Sequence, residues 1–249
     1  MKQIMEEKAQ NYKNGKINYV TEKVVKDSTI TLTINNEISH NLSAIEDSLE
    51  EFAVGYLFNE NMVKSIDDIE KIEINENHIN VEIDDKLLKT KETVLCSDSS
   101  GGWRSKIKEI EPISSDFQVE ADELINRIEE LKNNAQIWQA TGGTHVAGIV
   151  YKNNFIVKED VSRHVAVDKV IGYGILHDYD LSNSYVIYSG RMPADMVIKI
   201  VRAGIPVLAS NAAPAYSGCE TAKKGNVTLV GFLRGQRFNV YNNKNRIIF

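Results

Sequence analysis

Cysteine is nearly absent from the chain: Cys96 and Cys219 are the only two in 249 residues. They stand 123 positions apart in unrelated surroundings, which excludes both a disulfide framework and a zinc-finger spacing. Proline is scarce as well, with four, and no internal repeat or low-complexity tract appears, so collagen-like and disordered classes drop out. No apolar run comes near the roughly 20 residues that a membrane-crossing helix needs. The first 16 residues mix both charge signs without an apolar stretch, so neither a signal peptide nor a transit peptide is expected, and the expected location is cytoplasmic. An excess of basic residues is also missing: 29 Lys+Arg face 35 Asp+Glu, which argues against a DNA-binding surface. There is no Walker phosphate loop, no Gly-x-Ser-x-Gly elbow, no His-Glu-x-x-His and no Gly-x-Gly-x-x-Gly after a strand. The His-x-Glu and Pro-Cys-x-x-Cys of a zinc deaminase are missing too, and no metal site is expected.

What is present is a globular composition, 42% apolar and 26% charged, with an uneven distribution of charge. Residues 1–140 carry 28 acidic and 16 basic side chains, a net −12, whereas residues 141–249 carry seven and 13, a net +6. A basic half in an acidic protein points to an anionic ligand.

The pattern predicts an α/β chain in two parts, an N-terminal α+β part over 1–118 and a layered α/β core over 119–249. In the first part, Thr29–Ile34 and Ile38–Leu42 alternate around Asn35-Asn36-Glu37, as a hairpin does. Leu49, Phe52, Ala53, Tyr56, Leu57 and Val63 share a helical stripe that starts at Asp47 or Ser48. Ile72/Ile74 and Ile79/Val81/Ile83 form a second hairpin. Residues 90–118 lose all periodicity, and 119–136 read as an acidic amphipathic helix. After Thr141, strands are expected at 145–151, 155–158, 184–189, 205–210, 227–233 and 237–241, with helices at about 163–177, 193–203 and 214–224. Pro193 and Pro214 suit first helical turns, and Gly204 and Gly225 suit helix ends. In such a core, ligands are expected at the strand ends that feed the helices.

Four segments carry chemical potential. Cys96 sits in the Ser/Gly-rich stretch Thr93–Trp103, where a thiolate would be accessible; Cys219, inside a predicted helix, reads as a small apolar residue. Thr141-Gly142-Gly143-Thr144-His145 offers paired glycines whose N–H groups can form an anion nest. In Glu159–Lys169, Ser162 or Asp160 can cap a helix and Asp168 stands at i,i+4 from His164. Arg191 follows Ser189-Gly190 just before a helix, and Phe232-Leu233-Arg234-Gly235-Gln236-Arg237 puts two arginines around a glycine at another strand end, so guanidinium and helix N–H groups converge on one edge.

These segments occur in an order that resembles the FdhD/NarQ family. The shared run comprises Thr141–His145, Glu159–His164 with Asp168–Gly172, Ser189–Arg191, Ala203–Val207, Ala213-Pro214 and Gly231–Gly235; Leu49–Phe58 is similar to a further family helix. The resemblance implies a cytidine-deaminase-like α/β core without the deaminase zinc site, in a homodimer. It also implies a sulfurtransferase needed for formate dehydrogenase, which takes persulfide sulfur from a cysteine desulfurase and passes it to the bis-molybdopterin guanine dinucleotide cofactor of molybdenum or tungsten. Cys96 matches the first cysteine of the family's Cys-x-x-Cys loop. Phe232, Leu233, Arg234, Gly235, Gln236 and Arg237 match its cofactor-binding segment, with Arg191, Gly142, Gly143 and His164 as further expected contacts, and guanine nucleotides such as GDP as expected ligands. The chain departs at Ser99, where the family has its second loop cysteine, at Ser162, commonly Gly, and at Val165, commonly Asn. Asp98 adds negative charge beside Cys96, which raises a thiol pKa. The loss at Ser99 motivates an alternative, a non-catalytic chaperone that binds the cofactor without handling sulfur.

Overall fold

The computed structural model describes residues 2–88, 93–95, 102–105 and 110–249. The chain opens with an antiparallel hairpin, β1 (Ile4–Lys13) and β2 (Lys16–Val25), exposed along nearly its whole length. Next come β3 (Ser28–Ile34) and β4 (Ile38–Ala44), turned by Asn35 and Asn36 at φ 49° and 55°, a left-handed backbone that asparagine tolerates. Helix α1 (Leu49–Asn59) follows, then β5 (Ile69–Asn75) and β6 (His78–Ile83). These strands form one sheet in the order β4-β3-β6-β5, with β3 and β6 parallel. Ile30, Leu32, Ile34, Ile79 and Val81 alternate onto the face that α1 covers with Phe52, Ala53, Tyr56 and Leu57. Val63, expected on the helix, is buried beyond its end.

Two short strands, β7 (Thr93–Leu95) and β8 (Gly102–Ser105), pair antiparallel within the stretch read as aperiodic; three or four residues are too few to display a period. Cys96, Asp98 and Ser99 lie outside the described residues.

The core begins at β9 (Val119–Glu120) and α2 (Ala121–Asn134), then α3 (Gln136–Thr141), β10 (His145–Tyr151) and β11 (Asn154–Asp160). It continues through α4 (Arg163–Leu176), β12 (Ser184–Tyr188), α5 (Ala194–Arg202), β13 (Val207–Ser210) and α6 (Tyr216–Gly225), and closes with β14 (Thr228–Arg234), β15 (Arg237–Tyr241) and β16 (Ile247–Ile248). Six of these strands make a mixed sheet, β11-β10-β12-β13-β14-β15, in which β12, β13 and β14 run parallel. The short β16 pairs with β9. One face carries Ala147, Ile149, Val186 and Leu208 against α4, α5 and α6; the other carries Val146, Tyr185, Ile187 and Ala209 against α2. The architecture is therefore α/β, with the sheet between two helical layers.

The expected helix ends need two corrections. Gly225 is the last residue of α6, and Asn226, at φ 56°, supplies the left-handed cap. Glycine is required at 225 by packing, since a Cβ there would lie 2.3 Å from Val201 Cγ2. Pro214 precedes α6 and bridges to Met192.

Helix α1 joins the two sheets by packing on α4 at backbone contact. A Cβ on Gly55 would lie 1.9 Å from Asp168 O, and one on Gly172 would lie 1.8 Å from Glu51 O. Around this crossing, Asn59 Nδ2 donates to Asp168 Oδ1 at 2.6 Å and Lys199 Nζ to the same oxygen at 2.5 Å. Lys169 Nζ bonds Asp160 Oδ2 at 2.8 Å, and Ile45 N–H donates to that oxygen at 3.1 Å. All four charged groups are buried, and pairing with further hydrogen bonds is what makes that burial tolerable.

Candidate functional site at one edge of the six-stranded sheet

The parallel strands β12, β13 and β14 end at the edge where the antiparallel β10 begins and β11 ends. The segments after Tyr188, Ser210 and Gly231 therefore meet the segments around His145 and Asp160.

On the β10 side, one carboxylate organises the wall. Glu159 Oε1 accepts Ile137 N–H at 2.8 Å, and Oε2 accepts Trp138 N–H at 2.7 Å and the Thr144 hydroxyl at 2.9 Å. These bonds satisfy N–H groups in the first turn of α3 and tie that helix to the start of β10. Gly142 ends α3 at φ 66°, where its N–H donates to Trp138 O, and Gly143 N–H donates to Thr141 Oγ1 at 3.1 Å. Both N–H groups expected to form an anion nest are thus engaged within the fold. The exposed turn instead offers a ligand close backbone approach.

At the end of β12, Ser189 Oγ accepts Val146 N–H at 3.0 Å and stands 3.5 Å from His145 Nδ1. Burial, with the positive charge of Arg163, holds the His145 imidazole below its usual pKa and hence neutral at pH 7. Gly190 is buried against the Tyr188 ring, and its carbonyl accepts the Ser210 hydroxyl at 2.7 Å. Arg191 is exposed beyond it. His164 is fully buried, and the carboxylate beside it is Asp195 of α5, 3.2 Å from Nε2. Burial disfavours the Asp195 charge, but the His164 hydrogen bond and the charges of His164 and Arg163 outweigh it and lower the carboxyl to about 2. Asp168, the expected i,i+4 partner of His164, accepts from Lys199 and Asn59. His164 therefore lies beneath the edge, with no surface open to a ligand.

The third wall is the β14–β15 hairpin. Phe232 takes φ 56°, and the pairing register shifts between Gly231 and Arg234. Arg234 Nε donates to Asn211 O at 2.8 Å, and its guanidinium carbon lies 6.0 Å from the Phe232 ring centre. Arg234, Gly235, Gln236 and Arg237 are exposed, with Gly235 at φ 52° in the turn. Leu233 belongs elsewhere: it is fully buried in the core under α2 with Val230, because the irregularity at Phe232 shifts the alternation along β14 by one residue and turns it inward. A hollow of about 170 Å³ opens beside Phe232, Arg237, Phe238 and Asn239.

Between α2–α3 and the sheet edge lies a cleft of about 230 Å³, with Ile128 and Leu131 in its floor and Trp138, His145, Ser189 and Asn211 at its rim. An apolar floor with a few convergent polar groups and a half-exposed indole suits a planar heteroaromatic ring. Sequence reasoning placed His145 and Ser189 within motifs without assigning them to a site, and it missed Trp138 and Asn211. A tryptophan three residues before a Thr-Gly-Gly turn was the available signal.

The FdhD/NarQ family model matches residues 25–248. The chain belongs to this family. It is 48% identical, over 92% of its own length and 93% of the other chain, to the sulfur carrier protein FdhD of Methanothermobacter thermautotrophicus. It is 33% identical to protein FdhD of Methanocaldococcus jannaschii over 92% of both chains. A crystal structure assigned as a formate dehydrogenase accessory protein from Desulfotalea psychrophila superposes with a TM-score of 0.82 at 26% identity, covering 98% of this chain and 99% of that one. Among the described residues, no helix is long and apolar enough to cross a membrane.

Proposed function

We propose that the chain is a sulfurtransferase of formate dehydrogenase maturation, a sulfur carrier like the relatives bearing that name. In this reading Cys96 accepts persulfide sulfur from a cysteine desulfurase and delivers it to the bis-molybdopterin guanine dinucleotide of molybdenum or tungsten, which is the substrate. The observation that carries the substrate reading is the convergence of the cleft at Trp138, His145, Ser189 and Asn211 with the exposed guanidiniums of Arg191, Arg234 and Arg237 on one sheet edge. A guanine ring presents a flat face and a hydrogen-bonding rim, which the cleft matches, and the pyrophosphate beside it calls for guanidinium groups. Persulfide transfer needs one thiol, since the bond that breaks joins the cysteine sulfur to the terminal sulfur; Ser99 therefore leaves the route open.

Incubation with a cysteine desulfurase and cysteine, followed by intact mass measurement, tests the reading. An adduct of about 32 Da should form on the wild type and on Cys219→Ala and be lost in Cys96→Ala. The absence of any adduct on the wild type would refute it. The chaperone reading, favoured by Ser99, predicts that Cys96→Ala still matures formate dehydrogenase while Arg234→Ala does not.

A further inference from the structure

Arg163 is the first residue of helix α4, at this same sheet edge, and its guanidinium is unspent. Among the described residues it makes no hydrogen bond to the fold, and no carboxylate lies within ion-pair distance of it. The nearby Asp195 is engaged elsewhere: its Oδ2 stands 3.2 Å from His164 Nε2, and its Oδ1 accepts Met196 N–H at 3.0 Å. A half-buried guanidinium presents five N–H donors in a planar fork, so a partner for them has to come from outside the fold.

The position of the charge is fixed from several sides. A Cβ on Gly190 would lie 3.5 Å from Arg163 Cδ, so the aliphatic stem of Arg163 rests on that glycine. Gly190 has Ser189 of the cleft rim before it and Arg191 after it. The positive charge is felt by the His145 imidazole, the Tyr188 hydroxyl and the Asp195 carboxyl, which belong to β10, β12 and α5. The guanidinium therefore lies amid these three elements, beside the His145 end of the cleft.

The surroundings favour an anion there. Helix α4 starts at this point with Ser162 as its cap and no acidic side chain in its first turn, which leaves the positive end of its dipole uncompensated. Arg191, Arg234 and Arg237 are exposed, where salt screens them, whereas the half-buried Arg163 is screened less.

We infer that Arg163 is the phosphate contact nearest the ring: seated on Gly190 between the cleft and Arg191, its fork takes oxygens of a pyrophosphate in front of the α4 N-terminus. That the anion belongs to a guanine nucleotide rests on the reading proposed above; the contact itself does not. The inference adds a residue that neither motif order nor exposure singles out, and it gives the exposed Arg191 the outer part of the same anion.

Pyrophosphate and guanosine, offered separately and compared with GDP, test the assignment on the full-length protein at matched ionic strength. Calorimetry reads the affinities, and NMR follows the His145 ring. On the wild type, pyrophosphate should bind and raise the His145 pKa, because the new negative charge offsets that of Arg163. In Arg163→Met the His145 pKa should rise without any anion, pyrophosphate should no longer move it, and pyrophosphate and GDP should each bind about ten-fold more weakly or worse. Guanosine affinity should stay as in the wild type. Arg163→Lys, which keeps the charge without the fork, should recover part of the GDP affinity. An unchanged circular dichroism melt shows that the variants fold. Equal GDP and pyrophosphate affinities in the wild type and Arg163→Met overturn the inference while leaving the nucleotide reading in place. So does pyrophosphate that binds the wild type without moving His145, since it then sits on the exposed arginines, and so does a wild type that binds no pyrophosphate. If pyrophosphate binds through Arg163 but GDP binds no tighter than pyrophosphate, the assignment stands and the guanine reading falls.

Discussion

Replacing Gly55 by alanine should destabilise the protein, although helix propensity alone predicts the reverse. Alanine is the better helix former by about 1 kcal/mol, and Gly55 sits in the middle of α1. In the structure, however, the new Cβ would lie 1.9 Å from Asp168 O, where real Cβ contacts under 3.0 Å are essentially never seen. The obstacle is the backbone of α4, which cannot rotate away, so the two helices must part by at least about 1.1 Å. Overpacking of this kind costs about 1–3 kcal/mol. The same movement stretches the 2.6 Å bond from Asn59 to Asp168 beyond hydrogen-bonding distance, and a buried polar group left unpaired costs about 1–3 kcal/mol more. With the propensity gain subtracted, the net loss is about 1–5 kcal/mol, a fall in Tm of some 2–20 °C for a chain of this length. Thermal and guanidinium melts followed by circular dichroism measure it. Gly174→Ala is the control, since its Cβ would meet only the side-chain ends of Ile149 and Leu181 at 3.1 Å and should cost less. Gly172→Ala should behave like Gly55→Ala, and the double variant should lose less than the two single losses together, because one separation of the helices relieves both clashes. A Gly55→Ala protein that melts at or above the wild-type temperature would refute the backbone contact.

The remaining predictions concern the sheet edge. Glu159→Gln keeps one acceptor where the carboxylate has two, so α3 should loosen from β10: Trp138 fluorescence should shift, and GDP affinity in a calorimetric titration should fall about ten-fold, the loss of one charge-assisted hydrogen bond. Arg234→Ala removes a guanidinium held at the edge by Asn211 O, and it should weaken GDP binding about ten-fold or more and flatten its salt dependence. The Asp195 carboxyl is lowered from 3.8 to about 2 in the fold, so its contribution is complete above the unfolded value and is lost as pH falls through the folded one. With about a third of the side chain exposed, that contribution is about 1–2 kcal/mol, and the stability of Asp195→Asn should change less than that of the wild type between pH 4 and pH 2, as read from urea midpoints. His145, held below its usual 6.5 by burial and by the charge of Arg163, should titrate below that value by NMR, and His145→Ala should remove that titration.

Legibility in the sequence followed how many residues repeat a pattern and how far apart the partners stand. The hairpins β3–β4 and β5–β6 and the alternation of strands and helices after Thr141 were readable because one face of each element is buried, so apolar residues recur with a period. The β1–β2 arm was invisible to that test, since both its faces are exposed and no alternation is imposed. Helix α3, with six residues, is too short to show a period, and its first turn is stabilised by Glu159, more than 20 positions later.

The site divides on the same physical line. The glycines and arginines after strands mark where the backbone turns, a local property, and in the structure they gather at one edge of the sheet. What faces the cleft depends on side chains brought together from α2, α3, β10, β12 and the segment after β13, which no spacing encodes. Leu233 shows the difference within a single motif. It lies between the half-buried Phe232 and the exposed Arg234 yet points into the core, because the irregularity at Phe232 shifts the alternation and puts it on the same face as Val230. His164 shows it across motifs: the carboxylate four residues on, Asp168, is engaged by Lys199, and the one beside the imidazole comes from α5, 31 residues away. Motif membership therefore identifies the edge where chemistry is placed, while burial decides which members of the motif meet a ligand. By that criterion Arg191, Arg234 and Arg237 remain candidates for phosphate contact, Trp138 and His145 join them as candidates for the ring, and Leu233 and His164 become the packing beneath.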